Sequence, residues 1–309
     1  MGEVKGDAVL AVESLELEIL RGRPRKVVRN VSFSVPRGRV TCLVGESGCG
    51  KSLTCLAILG LLPEAVRRTG GTITIDGERV NDLSPEHLQA LRGGKAAMIL
   101  QNPMSCFDPI CTVKSHFLES LAAHGGNPGR LSPEVMPESD LARARRSLAE
   151  VGFDSPDDIL DAYPFQLSGG MLQRVMVALA LLSEIRLLLA DEPTTDLDVV
   201  SQARILTLLD ETRRRHGMGV LLVTHDIGVV ARMADFVVVM HKGEVVEQGE
   251  VATLFAAPRH AYTRALLQAH LSLYGLSFGD EAVGVGTVSP EPCLAAATPG
   301  PVPEEVRLR

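Results

Sequence analysis

The residues Gly45-Glu46-Ser47-Gly48-Cys49-Gly50-Lys51-Ser52 follow the spacing G-x-x-x-x-G-K-[ST] without a mismatch. Glycines at these places let the backbone wrap around an anion, so that successive N–H groups and a helix N-terminus point at the phosphates of a nucleotide. In such a loop the Lys51 ammonium reaches the β- and γ-phosphates and the Ser52 hydroxyl ligates Mg²⁺, with the contacting stretch running on to Leu53. A second chemical unit is Asp191-Glu192, two carboxylates at the end of the apolar run Leu187 to Ala190. Asp191 suits the Mg²⁺ shell, and Glu192 suits activation of a water that attacks the γ-phosphate. Taken alone, the pair reads equally well as a solvated acidic turn before Pro193. A third is Ser168-Gly169-Gly170, which exposes N–H groups to an anion at a helix start. In isolation those letters are also an ordinary N-cap. His225, beside Asp226 and directly after the apolar run Val220 to Thr224, can bond a γ-phosphate.

These groups need elements that hold them. Val40 to Val44 predicts a buried strand into the phosphate loop, and Ser52 through Leu62 a helix out of it. Ser14 to Ile19 and Val31 to Val35 alternate at period two, and Gly71 to Ile75 ends in an Asp76-Gly77 turn, so a β-rich layer surrounds the loop in sequence. From about 101 to 183 the pattern turns helical, loosest between His124 and Pro137. Strands resume at 187–190, 220–224 and 236–240, with a helix from Val199 to Arg215 between the first two, which is the alternation of a parallel α/β sheet. Beyond about Leu276 no periodicity remains, and the segment 276–309 reads as a flexible tail rich in Pro, Gly and Ala.

The chain has 309 residues, 45 % of them hydrophobic, ample for a core. Its net charge of −7 argues against general nucleic-acid binding. Arg213-Arg214-Arg215 is the one tight basic run and reads as a solvated helix end before Gly217. No apolar stretch is long enough for a membrane span and the start is too polar for a signal peptide, so a cytoplasmic protein is expected. The six cysteines lack metal spacing and are expected to be reduced. Cys49, in the phosphate loop at a helix N-terminus, is expected to have a lowered pKa.

From about residue 8 to 275 the chain resembles the ATP-binding-cassette family, whose motifs occur here in the family's order. Gly45 to Ser52 match Walker A, Gln101 the Q-loop, Leu167 to Met171 the signature, Leu187 to Glu192 Walker B, Thr195 to Asp198 the D-loop and His225 the switch histidine. The resemblance implies an α/β P-loop NTPase core with an antiparallel β layer and an α-helical subdomain inserted at about 102–183. It implies ATP and Mg²⁺, with Glu192, His225 and Gln101 catalytic and Ser52, Gln101 and Asp191 around the metal. It also implies two cassettes head to tail, each nucleotide held by Walker A of one and by Ser168, Gly169 and Gly170 of the other. Two transmembrane permeases, and indirectly an extracytoplasmic solute-binding protein, complete the implied assembly at the cytoplasmic face of the membrane. The second cassette would be a related ATPase or a second copy of this chain.

Longer matches narrow the branch. Met98 to Pro103, Tyr163 to Gln166, Asp191 to Asp198 and Pro258 to Thr263 resemble the peptide and nickel importers. Lys51 to Cys55, Gly169 to Gln173, Thr195 to Asp198 and Ala269 to Gly275 resemble the first ATPase subunit of the nickel type. Met171 and Asp196 stand where most cassettes carry Gln and Ala, in keeping with that subset. No aromatic lies in Leu15 to Ile19, where many cassettes stack one on adenine, and a cysteine-rich C-terminal motif of peptide importers is absent. The expected function is ATP-driven import of nickel or a nickel chelate. The alternatives are a di- or oligopeptide importer and, from another class, a soluble cassette ATPase acting on nucleic acid or ribosomes.

Overall fold

The structure, a computed structural model, describes residues 7–125 and 136–272. The expected tail, Cys293 and the centre of the loose segment before Pro137 lie outside the described residues.

Five strands with near-continuous apolar sequence form the core of one sheet: β3 (Val40–Val44), β6 (Ala96–Ile99), β7 (Leu187–Asp191), β8 (Gly219–Thr224) and β9 (Phe236–His241). They run parallel in the order β9-β3-β8-β7-β6, and β10 (Glu244–Glu250) closes the β9 edge antiparallel. A parallel sheet is covered on both faces, which is why these strands lack polar alternation. Period two instead divides their side chains between two cores. Val40, Cys42, Val44, Leu188, Ala190, Val220, Leu222, Val237 and Val239 enter the core under the helices. Leu43, Leu187, Leu189, Leu221, Val223, Val238 and Met240 enter the other.

That second core is roofed by the expected antiparallel layer. Strands β1 (Ala8–Ile19), β2 (Arg25–Pro36), β4 (Val66–Ile75) and β5 (Glu78–Arg79) pair in the order β2-β1-β4-β5. Asp76 and Gly77, both with positive φ, make the β4–β5 turn, as an Asp-Gly pair favours. The first helix, α1 (Lys51–Ile58), packs into this core through Cys55, Ala57 and Ile58. It is shorter than the sequence pattern suggests. Gly60 is left-handed at φ 64° and the Leu61 N–H turns back to the Leu56 carbonyl, so the apolar letters to Leu62 continue past the helix itself.

After α2 (Pro85–Gly94) and β6 come four helices: α3 (Val113–Gly125), α4 (Glu138–Glu150), α5 (Pro156–Asp161) and α6 (Gly169–Ala180). Phe117, Leu148, Leu160 and Leu172 are fully buried among them, in the same cluster as the parallel sheet's helical face. Then α7 (Val199–His216) and α8 (Ile227–Met233) alternate with β7, β8 and β9, and α9 (Val251–Ala256) and α10 (Ala261–Ser272) follow β10.

The basic end of α7 departs from expectation. Arg213 donates to the Gly38 carbonyl and pairs with Asp210, while Arg215 and His216 both meet Glu150 of α4. The run therefore ties α7 to its neighbours as well as suiting the helix dipole, while Arg214 and Arg215 keep the solvent exposure expected of a helix end.

Candidate functional site

Strand β3 delivers the phosphate loop to α1. Gly45 has φ 153°, and a Cβ there would collide with the Met240 carbonyl oxygen, so the first bend of the loop passes too close to β9 for any side chain. Gly50 is left-handed at φ 105°, and a Cβ would lie 2.8 Å from Val28 Cγ2. Lys51, only 5 % exposed, folds its ammonium back on the loop, donating to the carbonyls of Gly45 at 2.7 Å and Glu46 at 2.9 Å. Glu46, Ser47 and Gly48 form the exposed rim.

Strand β7 places Asp191 at the bottom of the same site. Burial pushes its carboxyl up from the ordinary value and Glu192 adds to this, while the Ser52 hydroxyl and Lys51 oppose it. Asp191 Oδ1 is buried with no hydrogen-bond partner. A buried carboxylate with one oxygen unpaired and the Ser52 hydroxyl beside it fits a small hard cation, which takes hydroxyl, carboxylate and amide oxygens. The donor set Ser52, Asp191 and Gln101 has that chemistry.

Glu192 stands next in sequence but outside the strand. Its φ of 47° turns the chain, and its carboxylate collects three partners from three loops. Oε2 accepts from Gln101 Nε2 at 3.1 Å and Thr195 Oγ1 at 3.0 Å, and Oε1 lies 3.2 Å from His225 Nδ1. A carboxylate oriented by a fork of donors can take a proton from water. Thus Gln101, Glu192 and His225, the three residues expected to be catalytic, are brought together. Thr195 joins them with a role that the motif order did not reveal; its place three residues after Glu192 was the available signal.

Ser168, Gly169 and Gly170 sit elsewhere. Ser168 caps α6 by accepting from the Met171 N–H at 3.3 Å. The glycines face the start of α7: a Cβ at Gly169 would touch Leu197, and one at Gly170 would lie 3.3 Å from Ser201 Oγ. Asp198 caps α7 through the N–H groups of Val200 and Ser201, and the Ser201 hydroxyl together with these N–H groups holds its carboxyl below the usual range. The signature and the D-loop therefore form one exposed unit.

Cys49 contradicts the expected reactive thiol. It is 5 % exposed, and burial pushes its pKa up, outweighing the pull of Lys51. The five cysteines among the described residues are all free. No helix among those residues is long and apolar enough to cross a membrane.

Known proteins resemble this chain in sequence and fold. Residues 28–195 match the model of the ABC transporter family. The nickel import ATP-binding protein NikD of Rhodospirillum rubrum is 47 % identical over 267 residues, covering 86 % of this chain and 97 % of that protein. The protein of the same name from Pseudomonas putida is 45 % identical, over 85 % of this chain and 96 % of the relative. Among solved structures, the ATP-binding cassette MJ0796, in a dimeric post-hydrolysis state bound to ADP and Pi, superposes with a TM-score of 0.66 at 26 % identity, covering 78 % of this chain and 98 % of that one. The cbiO1 protein of Clostridium perfringens, part of the ABC transporter complex cbiONQ, gives 0.66 at 26 % identity, covering 87 % and 98 %. With a P-loop, a paired carboxylate strand and a separate signature turn in one α/β core, this chain belongs to the ABC transporter family.

Proposed function

We propose that this chain is the ATP-hydrolysing subunit of an importer for nickel or a nickel chelate, acting at the cytoplasmic face of a membrane with two permease partners. The observation that carries the ATPase reading is the convergence of Gln101, Thr195 and His225 on the Glu192 carboxylate, next to Asp191 and the buried Lys51. The curated relatives' shared name supports nickel as cargo.

In this reading Lys51 holds the β- and γ-phosphates of ATP, and the loop N–H groups from Gly45 to Leu53 wrap around them. Ser52, Asp191 and Gln101 would hold Mg²⁺, which would neutralise charge developing between the β- and γ-phosphates. Glu192 takes the proton of the attacking water as the bond from the γ-phosphorus to the leaving oxygen breaks, while Gln101, Thr195 and His225 keep the carboxylate aimed. Ser168, Gly169 and Gly170 serve the nucleotide of a second cassette, a related ATPase or a second copy. The helices between 102 and 183 pass the closure to the permeases, and a solute-binding protein supplies cargo from outside.

The test is cargo uptake in membranes carrying the permeases, the solute-binding protein and both cassettes. Nickel-dependent uptake that requires ATP turnover is expected. Uptake of dipeptides without nickel would move the chain to the peptide importers.

A further inference from the structure

The segment Pro258 to Thr263 has no part in the nucleotide chemistry described above, yet its tyrosine reaches the phosphate loop. The Glu46 N–H donates to the Tyr262 hydroxyl at 3.0 Å, across 216 residues of sequence. On the other side of the same residue, the Glu46 carbonyl accepts from Lys51 Nζ. The Tyr262 ring lies on the His241 imidazole with centroids 4.0 Å apart, and His241 follows Met240, whose carbonyl closes against Gly45. The approach to α10 is itself fixed from β10: the Glu247 carboxylate accepts from the Arg259 N–H at 2.7 Å and the His260 N–H at 3.0 Å, one per oxygen. His260 Nδ1 then accepts from the Tyr262 N–H at 3.2 Å.

We propose that Tyr262 is a positioning residue for the phosphate loop, clamping the Glu46 peptide so that Lys51 is presented to the nucleotide, and that β10 and α10 thereby set the affinity of the site for ATP. The inference rests on the reading of Gly45 to Ser52 as the nucleotide site. Without the hydroxyl, Glu46 loses its outer anchor, and the carbonyl that holds Lys51 shifts with it. Apparent affinity falls with the fraction of loops in the competent arrangement. One hydrogen bond of ordinary net strength makes that about a fivefold effect.

The experiment compares wild type with Tyr262→Phe, which keeps the ring on His241 and removes only the hydroxyl. In the assembled transporter, KM for ATP should rise about fivefold with kcat within about twofold, the pattern of lost ground-state binding. A fluorescent ATP analogue bound to the full chain should lose the same factor, while the thermal midpoint moves by about 2 °C or less. Glu247→Gln, which leaves one carbonyl oxygen where two oxygens accepted, should shift KM in the same direction. A Phe variant with wild-type KM and analogue affinity would overturn the inference, as would a lowered thermal midpoint with affinity unchanged. A wild-type chain that bound no nucleotide would instead overturn the site assignment.

Discussion

Two helix N-termini in this molecule carry nucleotide motifs, and they are finished differently. At α1 the N-cap is Gly50, which offers no side-chain cap, and the following Lys51 is buried against its own loop. At α6 the N-cap is Ser168, which satisfies the Met171 N–H itself and stands exposed beside the D-loop and the start of α7, where Val199 is 82 % and Val200 59 % exposed. An uncapped helix end with a buried cation lacks an anion, and a phosphate supplies the missing cap. A capped end flanked by exposed apolar residues lacks a neighbour. The first half of the site is thus built within the chain, and the proposed function has the second completed by another molecule.

The largest expected effect comes from breaking the built half. Lys51→Ala removes the cation and strands the carbonyls of Gly45 and Glu46, so ATP turnover in the assembled transporter should fall by about 100-fold or more. Turnover at the wild-type rate would dissociate the loop from catalysis.

A smaller change sharpens the same contrast by separating stability from function. Asp191 carries a raised pKa in the fold, so its contribution to stability is fully present below the ordinary carboxylate range and is lost as pH rises through the raised value. At neutral pH without nucleotide, Asp191→Asn should therefore unfold at a higher temperature than wild type, and the gap should close in acid. The same variant should lose the Mg²⁺ dependence of ATP binding, since a neutral amide is a poorer ligand for a hard cation. Scanning calorimetry across pH reads the first effect and nucleotide titration with and without Mg²⁺ the second; an Asn variant less stable at neutral pH would contradict the dominance of desolvation at this carboxylate.

Much of the built half was legible because its information is local. A glycine-lysine loop between an apolar strand and a helix lies within one stretch of chain, and the strands declared themselves by unbroken Val and Leu runs. What stayed hidden depends on contacts between distant segments. Gln101 and Glu192 are 91 residues apart and Tyr262 and Glu46 are 216 apart, distances over which only the order of motifs gave guidance. The Cys49 thiol runs against expectation because the same loop position that suggests an activated thiol also buries it beside Lys51, and desolvation prevails. Arg213 was misread because its acceptor, the Gly38 carbonyl, belongs to the turn before β3. The end of α1 was overextended because Leu61 and Leu62 continue the apolar pattern after Gly60 has left the helix.

In the proposed function one nucleotide site needs two molecules, with this chain giving its phosphate loop to one site and its signature to the other. Glu192→Gln, which retains ATP and cannot accept the proton of water, should trap the closed pair of cassettes in MgATP. Adding Ser168→Arg places a long cation where the second nucleotide approaches, while Lys51 is untouched. The measurement is nucleotide-dependent association of the full chain with its cassette partner, read by sedimentation beside binding of a fluorescent ATP analogue. The account predicts that Ser168→Arg abolishes association and leaves analogue binding within about twofold of the parent. Association that survives the arginine unchanged, or analogue binding lost together with it, would contradict the division of the site between two molecules.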